Sequence, residues 1–256
     1  FSEFGAATLQ QETVAQSFSG EMVSVPTFIN EFWTSVQRAA SSLHEISYRA
    51  CFKPQLPRFF IERLTRPGDR VYDPFMGRGT TPIEAALLGR TPVGCDVNPL
   101  SVRLVRPRVQ PPSLEQIQTR LSEIDFSNPG PLWEELLVFY HPDTLRALTA
   151  LKVYLLGRIE LGHFDSVDDW IGMVALNRLT GHSVGFFSVY TLPPNQASSI
   201  SRQAKINAKR GQVPPYRDVA AIILKKSRQL LGECDTAVRG TLASAGAGAQ
   251  WVTSGC

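Results

Sequence analysis

The residue types able to do chemistry are concentrated in residues 70–98. They read Arg70-Val-Tyr-Asp73-Pro74-Phe75-Met76-Gly77-Arg78-Gly79-Thr80-Thr81, continue to Gly89, and end in Pro92-Val-Gly-Cys-Asp96-Val97-Asn98-Pro99. Val71 and Tyr72 begin a short apolar run. The glycines mark a tight turn, and Ile83, Ala86 and Leu87 fall at helical spacing before Gly89 stops the helix. A second short strand, Pro92 to Val97, carries Asp96 at its carboxyl end. The pattern predicts one parallel strand–helix–strand unit of right-handed crossover. Gly77 and Gly79 let the backbone approach a ligand with no Cβ in the way. The turn opens onto a helix N-terminus with free N–H groups. An acid where Asp96 stands commonly holds ribose hydroxyls. The expected chemistry is therefore the cradling of a nucleoside cofactor.

A dinucleotide fingerprint would place a third glycine at position 82, which is Pro82 here. Asp73-Pro74-Phe75 is also foreign to that fingerprint. The run Asp-Pro-Phe-x-Gly-x-Gly-Thr-Thr, then Glu-Ala and Gly-Arg, then Gly-x-Asp-x-Asn-Pro-Leu, resembles instead the AdoMet-binding half of the DNA amino-methyltransferases, which modify adenine N6 or cytosine N4. The likeness is closest over residues 46–110. It implies S-adenosyl-L-methionine as cofactor and double-stranded DNA as partner. It implies that Phe75, Gly77 and Gly79 wrap the cofactor, that Asp96 binds the ribose, and that Lys53 and Pro54 contact the methionine end. Asp73, Thr80 and Asn98 belong to the same quoted motifs and join the cofactor set. Arg78 departs from the small residue often found between the two glycines, and its side chain is expected to point to solvent.

The elements that must position this site follow from patterning. Residues 1–24 are polar and aperiodic, read as a loose arm. Pro26 to Leu43 show helical spacing through Phe28, Ile29, Phe32, Trp33 and Val36. Residues 44–54 read as a loop over the cofactor. Gln55 to Leu64 read as a helix with Leu56, Phe59, Phe60, Ile61 and Leu64 inward. Pro99 to Val105 read as a short helix, and Arg103, Arg106 and Arg108 after it are either phosphate contacts or solvated. Residues 113–182 read as mostly helical, with Ser113 and His141 at helix starts; a polar, basic helix from Asn195 onward ends at Gly211, and Asp218 caps a further one. Phe186 to Tyr190 read as strand or extended, residues 236–250 as a small-residue loop, and Trp251-Val-Thr as a further strand. The fold class is α/β: a Rossmann-like AdoMet-dependent methyltransferase sheet with a mainly helical insertion. The boundaries are 1–45 for the arm and helix, 46–110 for the cofactor core, 111–235 for the insertion and target-recognition region, and 236–256 for the return to the sheet.

At 256 residues with 43% apolar content, the chain has the size of one α/β domain plus an insertion. No apolar run approaches membrane-spanning length. Cys51, Cys95, Cys234 and Cys256 lie far apart and form no Cys-x-x-Cys pair, so no metal site is expected. Reduced thiols and the absence of a signal-peptide pattern make the cytoplasm the expected location. The four histidines read as structural or surface residues. Net charge is +3, yet residues 200–231 carry eight lysines and arginines against the single acid Asp218. Arg202, Lys205, Lys209, Arg210 and Arg217 are the candidates for phosphate contacts.

The family's catalytic loop is Asp, Asn or Ser, then Pro-Pro, then an aromatic, at a strand end. This sequence has no complete version. Thr191-Leu192-Pro193-Pro194-Asn195 follows an extended run but has Asn195 where the aromatic belongs. Val213-Pro214-Pro215-Tyr216 has the aromatic but no polar residue before the prolines. Thr191, Pro193, Pro194, Asn195 and Tyr216 are the candidates within the chain. The favoured expectation puts the catalytic loop beyond Cys256, with another segment or subunit completing the sheet. The absence of a Pro-Cys nucleophile disfavours cytosine C5 chemistry. Restriction–modification is the expected setting. Two other readings stay open: a non-catalytic DNA-binding or specificity module on a methyltransferase-like fold, and a methyltransferase acting on RNA or a small molecule.

Overall fold

A computed structural model of the chain describes residues 9–29, 40–48, 51–192 and 198–255. It is a mixed α/β structure with a three-stranded parallel sheet. The sheet's strands are β3 (Arg70–Asp73), β4 (Thr91–Asp96) and β5 (Gln250–Thr253), with β4 in the middle. Asp73 faces Gly94 across the first pair, and Asp96 faces Thr253 across the second. All three carboxyl ends therefore lie on one edge.

Between β3 and β4 runs α2 (Thr80–Leu87), whose N-cap is Gly79 and after which Gly89 turns the chain at φ +73°. α1 (Gln55–Leu64) precedes β3 and packs on α2. Its buried residues are Pro57, Phe59 and Ile61, while Phe60 and Leu64, expected inward, are exposed. After β4, the Asn98 side chain caps α3 (Pro99–Val109), which runs four residues past the expected end with Pro107 inside it.

Among the described residues six α-helices separate α3 from β5: α4 (Leu114–Ser122), α5 (Pro142–Glu160), α6 (Ser166–Arg178), α7 (Ile200–Arg210), α8 (Val219–Leu230) and α9 (Thr236–Gly246). Four of their ends are those the sequence signals. Ser113 and Gln116 form a capping box, His141 and Asp218 cap α5 and α8, and Gly211 closes α7 at φ +58°. These helices pack straight onto the sheet layer, α6 against α3 and α8 against α6. One apolar cluster runs from Met76, Ile83 and Val105 through Trp170 and Ile223 to Leu242. At its centre Trp170, fully buried, donates Nε1–H to Ser227 Oγ at 2.9 Å. No helix among the described residues is long and apolar enough to cross a membrane.

Three expectations are corrected. Residues 9–29 are a β-hairpin rather than a loose arm followed by a helix from Pro26. β1 (Leu9–Gln16) pairs antiparallel with β2 (Met22–Ile29) around a turn closed by Ser17 and Glu21. Pro26 is tolerated because both strands of a two-stranded ribbon are edges. Residues 30–39 of the expected helix, including Phe32, Trp33 and Val36, lie outside the described residues, and its end is a 3-10 turn, Ser42–His44. Residues 236–246 are helix α9, capped by Asp235, not a loop. Phe186–Tyr190 forms no strand. It is a buried aromatic turn with a single bridge from Tyr190 to Gly181.

Candidate cofactor and DNA site

Two acids end adjacent parallel strands, and the glycine turn lies between them. Asp73 Oδ1 accepts the Phe75 amide at 2.9 Å, which folds the chain back after β3. The Met76 amide then donates to the Cys95 carbonyl at 3.0 Å, laying the turn along the end of β4. Gly77 and Gly79 adopt φ of +51° and +83°, the region that only glycine enters without strain. A Cβ on Gly79 would run into the Val105 side chain of α3, and one on Gly94 would run into Met76 Sδ. The turn is thus wedged against both α3 and β4.

Asp96 governs the mouth of the turn. Its Oδ2 accepts the Gly77 amide at 2.8 Å and its Oδ1 the Asn98 amide at 2.8 Å. Each oxygen retains capacity for a further hydrogen bond. Around the same strand ends Phe75 is 78% exposed and Val97 70%, so apolar faces border a carboxylate. Thr80 is buried at the first position of α2, its hydroxyl receiving Arg78 Nε–H. Pro54 is buried at the start of α1 and Lys53 is exposed beside it.

Several residues of this site were not singled out from sequence. The Tyr48 ring lies against Gly77, 3.4 Å from where its Cβ would be, and Tyr48 Oη receives Asn98 Nδ2–H at 3.4 Å. Its signal was its place in the loop expected over the cofactor. His44 and Glu84 form a buried pair at 2.7 Å, with Arg58 on the other Glu84 oxygen at 3.4 Å. Burial holds the His44 imidazole below its usual pKa, against the opposing pull of Glu84, and the nearby Arg108 and Arg78 charges add to the lowering. Arg78 does not point to solvent: its guanidinium turns inward to main-chain carbonyls of residues 44 and 46. Arg103 and Arg106 hold Asp169 of α6, Arg106 at 2.6 Å, and Arg108 is fully buried. Of the three, Arg108 alone is an internal tie, whereas Arg103 and Arg106 stay exposed while pairing with Asp169.

Of the expected catalytic candidates, Thr191 and Tyr216 lie among the described residues, and both engage partners outside the turn. Thr191 is buried, with its hydroxyl engaged by the Gly181 and Leu192 carbonyls. Tyr216 is exposed and packs edge-on against His141. Pro193, Pro194 and Asn195 lie outside the described residues. Of the basic candidates, Arg202, Lys205 and Lys209 are exposed along α7, while Arg210 lies over the Tyr190 ring at 3.9 Å and Arg217 is half-buried. The inward face of α7 is pinned by Gln203 and Asn207, which reach the Tyr190 and Val138 carbonyls. Among the described residues no group of three or more His, Cys, Asp or Glu side chains could hold a metal ion.

Residues 9–106 match the model of a DNA methylase family, covering the hairpin, the glycine turn, Asp96 and most of α3. Over this stretch the chain is similar to the N6/N4 DNA methylases. The chain is also similar to several curated proteins. The Type II methyltransferase M.MvaI of Kocuria varians is 29% identical over 126 residues, 48% of this chain and 24% of its own. M.MjaII of Methanocaldococcus jannaschii is 30% identical over 77 residues, 30% of this chain and 14% of its own. M1.MboII of Moraxella bovis is 54% identical over 46 residues, 16% of this chain and 18% of its own. The chain thus spans a quarter or less of the length of each of these relatives. No solved structure matches the chain.

Proposed function

We propose that this chain carries the AdoMet-binding part of a restriction–modification DNA methyltransferase that modifies an exocyclic amino group, cytosine N4 or adenine N6. The reading rests above all on the Asp96 carboxylate, fixed by the Gly77 and Asn98 amides at the carboxyl edge of a parallel sheet. The residues suit a nucleoside. Asp96 has acceptor capacity for a ribose diol, Phe75 and Val97 offer apolar faces for a purine, and two positive-φ glycines keep Cβ atoms out of the cradle. Lys53, Pro54, Asp73, Thr80 and Asn98 complete the set, with Asp73 and Asn98 shaping the turn rather than reaching outward. Bound there, S-adenosylmethionine would supply an electrophilic methyl group to the amine of a base taken out of the duplex.

In this reading the sheet and helices form a Rossmann-like methyltransferase fold. Residues 111–235 serve as the target-recognition region, and Arg202, Lys205, Lys209, Arg210 and Arg217 face DNA phosphates. The α7 cations best placed for that are Arg202, Lys205 and Lys209, which project from a helix whose other face is anchored. The catalytic Pro-Pro loop comes from a segment outside this chain, and the enzyme works in the cytoplasm.

The deciding experiment incubates the chain with labelled AdoMet and unmethylated duplex DNA and resolves the product nucleosides, with equilibrium dialysis of AdoMet alongside. Saturable binding that is lost in Asp96→Ala supports the cofactor reading, and a chain that binds no AdoMet defeats it. Label in N4-methylcytosine or N6-methyladenine would place the catalytic loop within residues 1–256. A non-catalytic DNA-binding module is the second reading. It is favoured by Leu192 and Val213 standing where the catalytic loop needs a polar residue.

A further inference from the structure

We infer that Arg78, the residue between the two glycines, is a positioning residue that holds the 43–48 loop over the cofactor cradle. The inference rests on the cofactor reading above. Beyond the single 3-10 turn Ser42–His44, the loop has no regular structure to fix it. The Leu43, His44 and Ile46 carbonyls are served instead by two arginines, while Asn177 of α6 holds the Ser47 main chain. Arg78 Nη1 donates to the His44 and Ile46 carbonyls at 3.2 and 3.0 Å. Arg108 Nη1 donates to the Leu43 carbonyl at 2.9 Å, and its Nη2 to the carbonyl of Arg78 itself. Arg108 Nε–H goes to Leu104 at 2.7 Å within α3.

The arrangement is a relay. α3 fixes the main chain of the glycine turn through Arg108, and the turn fixes the loop through the Arg78 side chain. The loop's far end then brings Tyr48 onto Gly77 and toward Asn98, the residue whose amide is held by Asp96. A guanidinium can serve two carbonyls at once because its donors sit in a rigid fork. An ammonium is a point charge that cannot do so with the same geometry. Arg108 is fully buried, and its hydrogen bonds all end on carbonyls. Burying a charge in this way is costly. An apolar residue would fill the space but leave those carbonyls without donors.

The test uses the full chain and the variants Arg78→Ala, Arg78→Lys and Arg90→Ala. Arg90 is the matched control, a buried arginine tied to Thr65 and Leu88 and not to the loop. AdoMet affinity is measured by equilibrium dialysis, and amide hydrogen exchange is followed in residues 43–48 and in α8. Arg78→Ala is expected to weaken AdoMet about tenfold, the scale of losing charged hydrogen bonds that preorganise a site. It should speed exchange in the loop but not in α8, and Arg78→Lys should recover part of both. Arg90→Ala should lower the melting temperature and leave affinity unchanged. Unaltered affinity or unaltered loop exchange in Arg78→Ala, beside a wild type that binds AdoMet, overturns the proposal. A wild type that binds no AdoMet overturns the cofactor reading and this inference with it.

Discussion

Gly77 donates its amide to Asp96 Oδ2 at 2.8 Å, so the turn after β3 and the acid that ends β4 form one unit. The acid's second oxygen holds the Asn98 amide at the same distance. Asp96 is therefore both a candidate ligand group and the clamp that shapes the cradle.

Substituting it should show both roles. Asp96→Ala removes the acceptor for two amides and is expected to cost about 1–3 kcal/mol of stability. Asp96→Asn keeps one oxygen but sets an NH₂ against an amide, so it should not behave as a conservative change. Both variants are expected to lose at least about tenfold in AdoMet affinity. Dialysis and urea unfolding on the same preparations check the pair.

Gly79→Ala meets two obstacles. At φ +83° an alanine is strained, by about 1–3 kcal/mol. The new Cβ also collides with Val105, and overpacking of that kind costs about 1–3 kcal/mol. Adding Val105→Ala should relieve the collision but not the backbone strain, so the double variant should recover only partly in chemical denaturation.

Away from the cradle, Asp168 is completely buried and bridges Arg120 of α4 and Arg158 of α5. Asp168→Asn should destabilise by about 1–3 kcal/mol, because it weakens the charged hydrogen bonds of a buried carboxylate while Asp165 still faces both guanidiniums. The protein that remains folded should bind AdoMet normally. A large affinity loss there would mean that the helical layer shapes the cradle directly.

The His44–Glu84 pair gives a pH dependence. Burial holds the His44 pKa below its unfolded value of 6.5, so below that pH the unfolded chain takes up a proton that the folded chain resists. Stability from this group is complete above about pH 6.5 and falls as pH drops through the window beneath it. His44→Gln should flatten that slope in melting curves taken between about pH 5 and 7.5. Asp165 acts lower. Burial raises its pKa, but bonds from Arg120 and from the Asp168 and Val167 amides outweigh this and bring it to about 2. Its contribution is present above the ordinary value of 3.8 and is lost as pH falls through about 2.

On α7, replacing Arg202, Lys205 and Lys209 together by alanine should weaken DNA binding across all sequences. If they meet phosphates, the salt slope of binding should fall by about one for each charge removed. An unchanged slope would assign the stripe to solvent.

What the sequence made legible was local. The glycine turn, Asp96, the caps at Ser113, His141 and Asp218 and the stop at Gly211 each depend on a few neighbouring residues. What it hid depended on distant partners. α9 read as a loop because it is rich in alanine and glycine. Small residues are needed there because the helix runs close to α2 and α3, with Gly246 touching Val109 and Gln110. The hairpin was obscured because β1 is exposed along its whole length and carries no one-sided burial pattern. Arg78 and Arg108 looked like solvent-seeking charges because nothing in a sequence marks a carbonyl across the fold as a partner. At the proposed cradle, the glycine turn and the loop beside it were legible, but the arginines that hold that loop were not.

The order of strands has a consequence for how the molecule assembles. β3, α2 and β4 are contiguous and can associate from short-range contacts. β5, which completes the sheet, must come from far along the chain. Cys95 and Ser254, joined by a hydrogen bond beside the β4–β5 pair, are 159 residues apart. Closing so long a loop is entropically slow unless the intervening chain has already collapsed. The helices between them are thus the scaffold that delivers β5, and refolding is expected to show the helical layer gaining protection before the Trp251 strand docks.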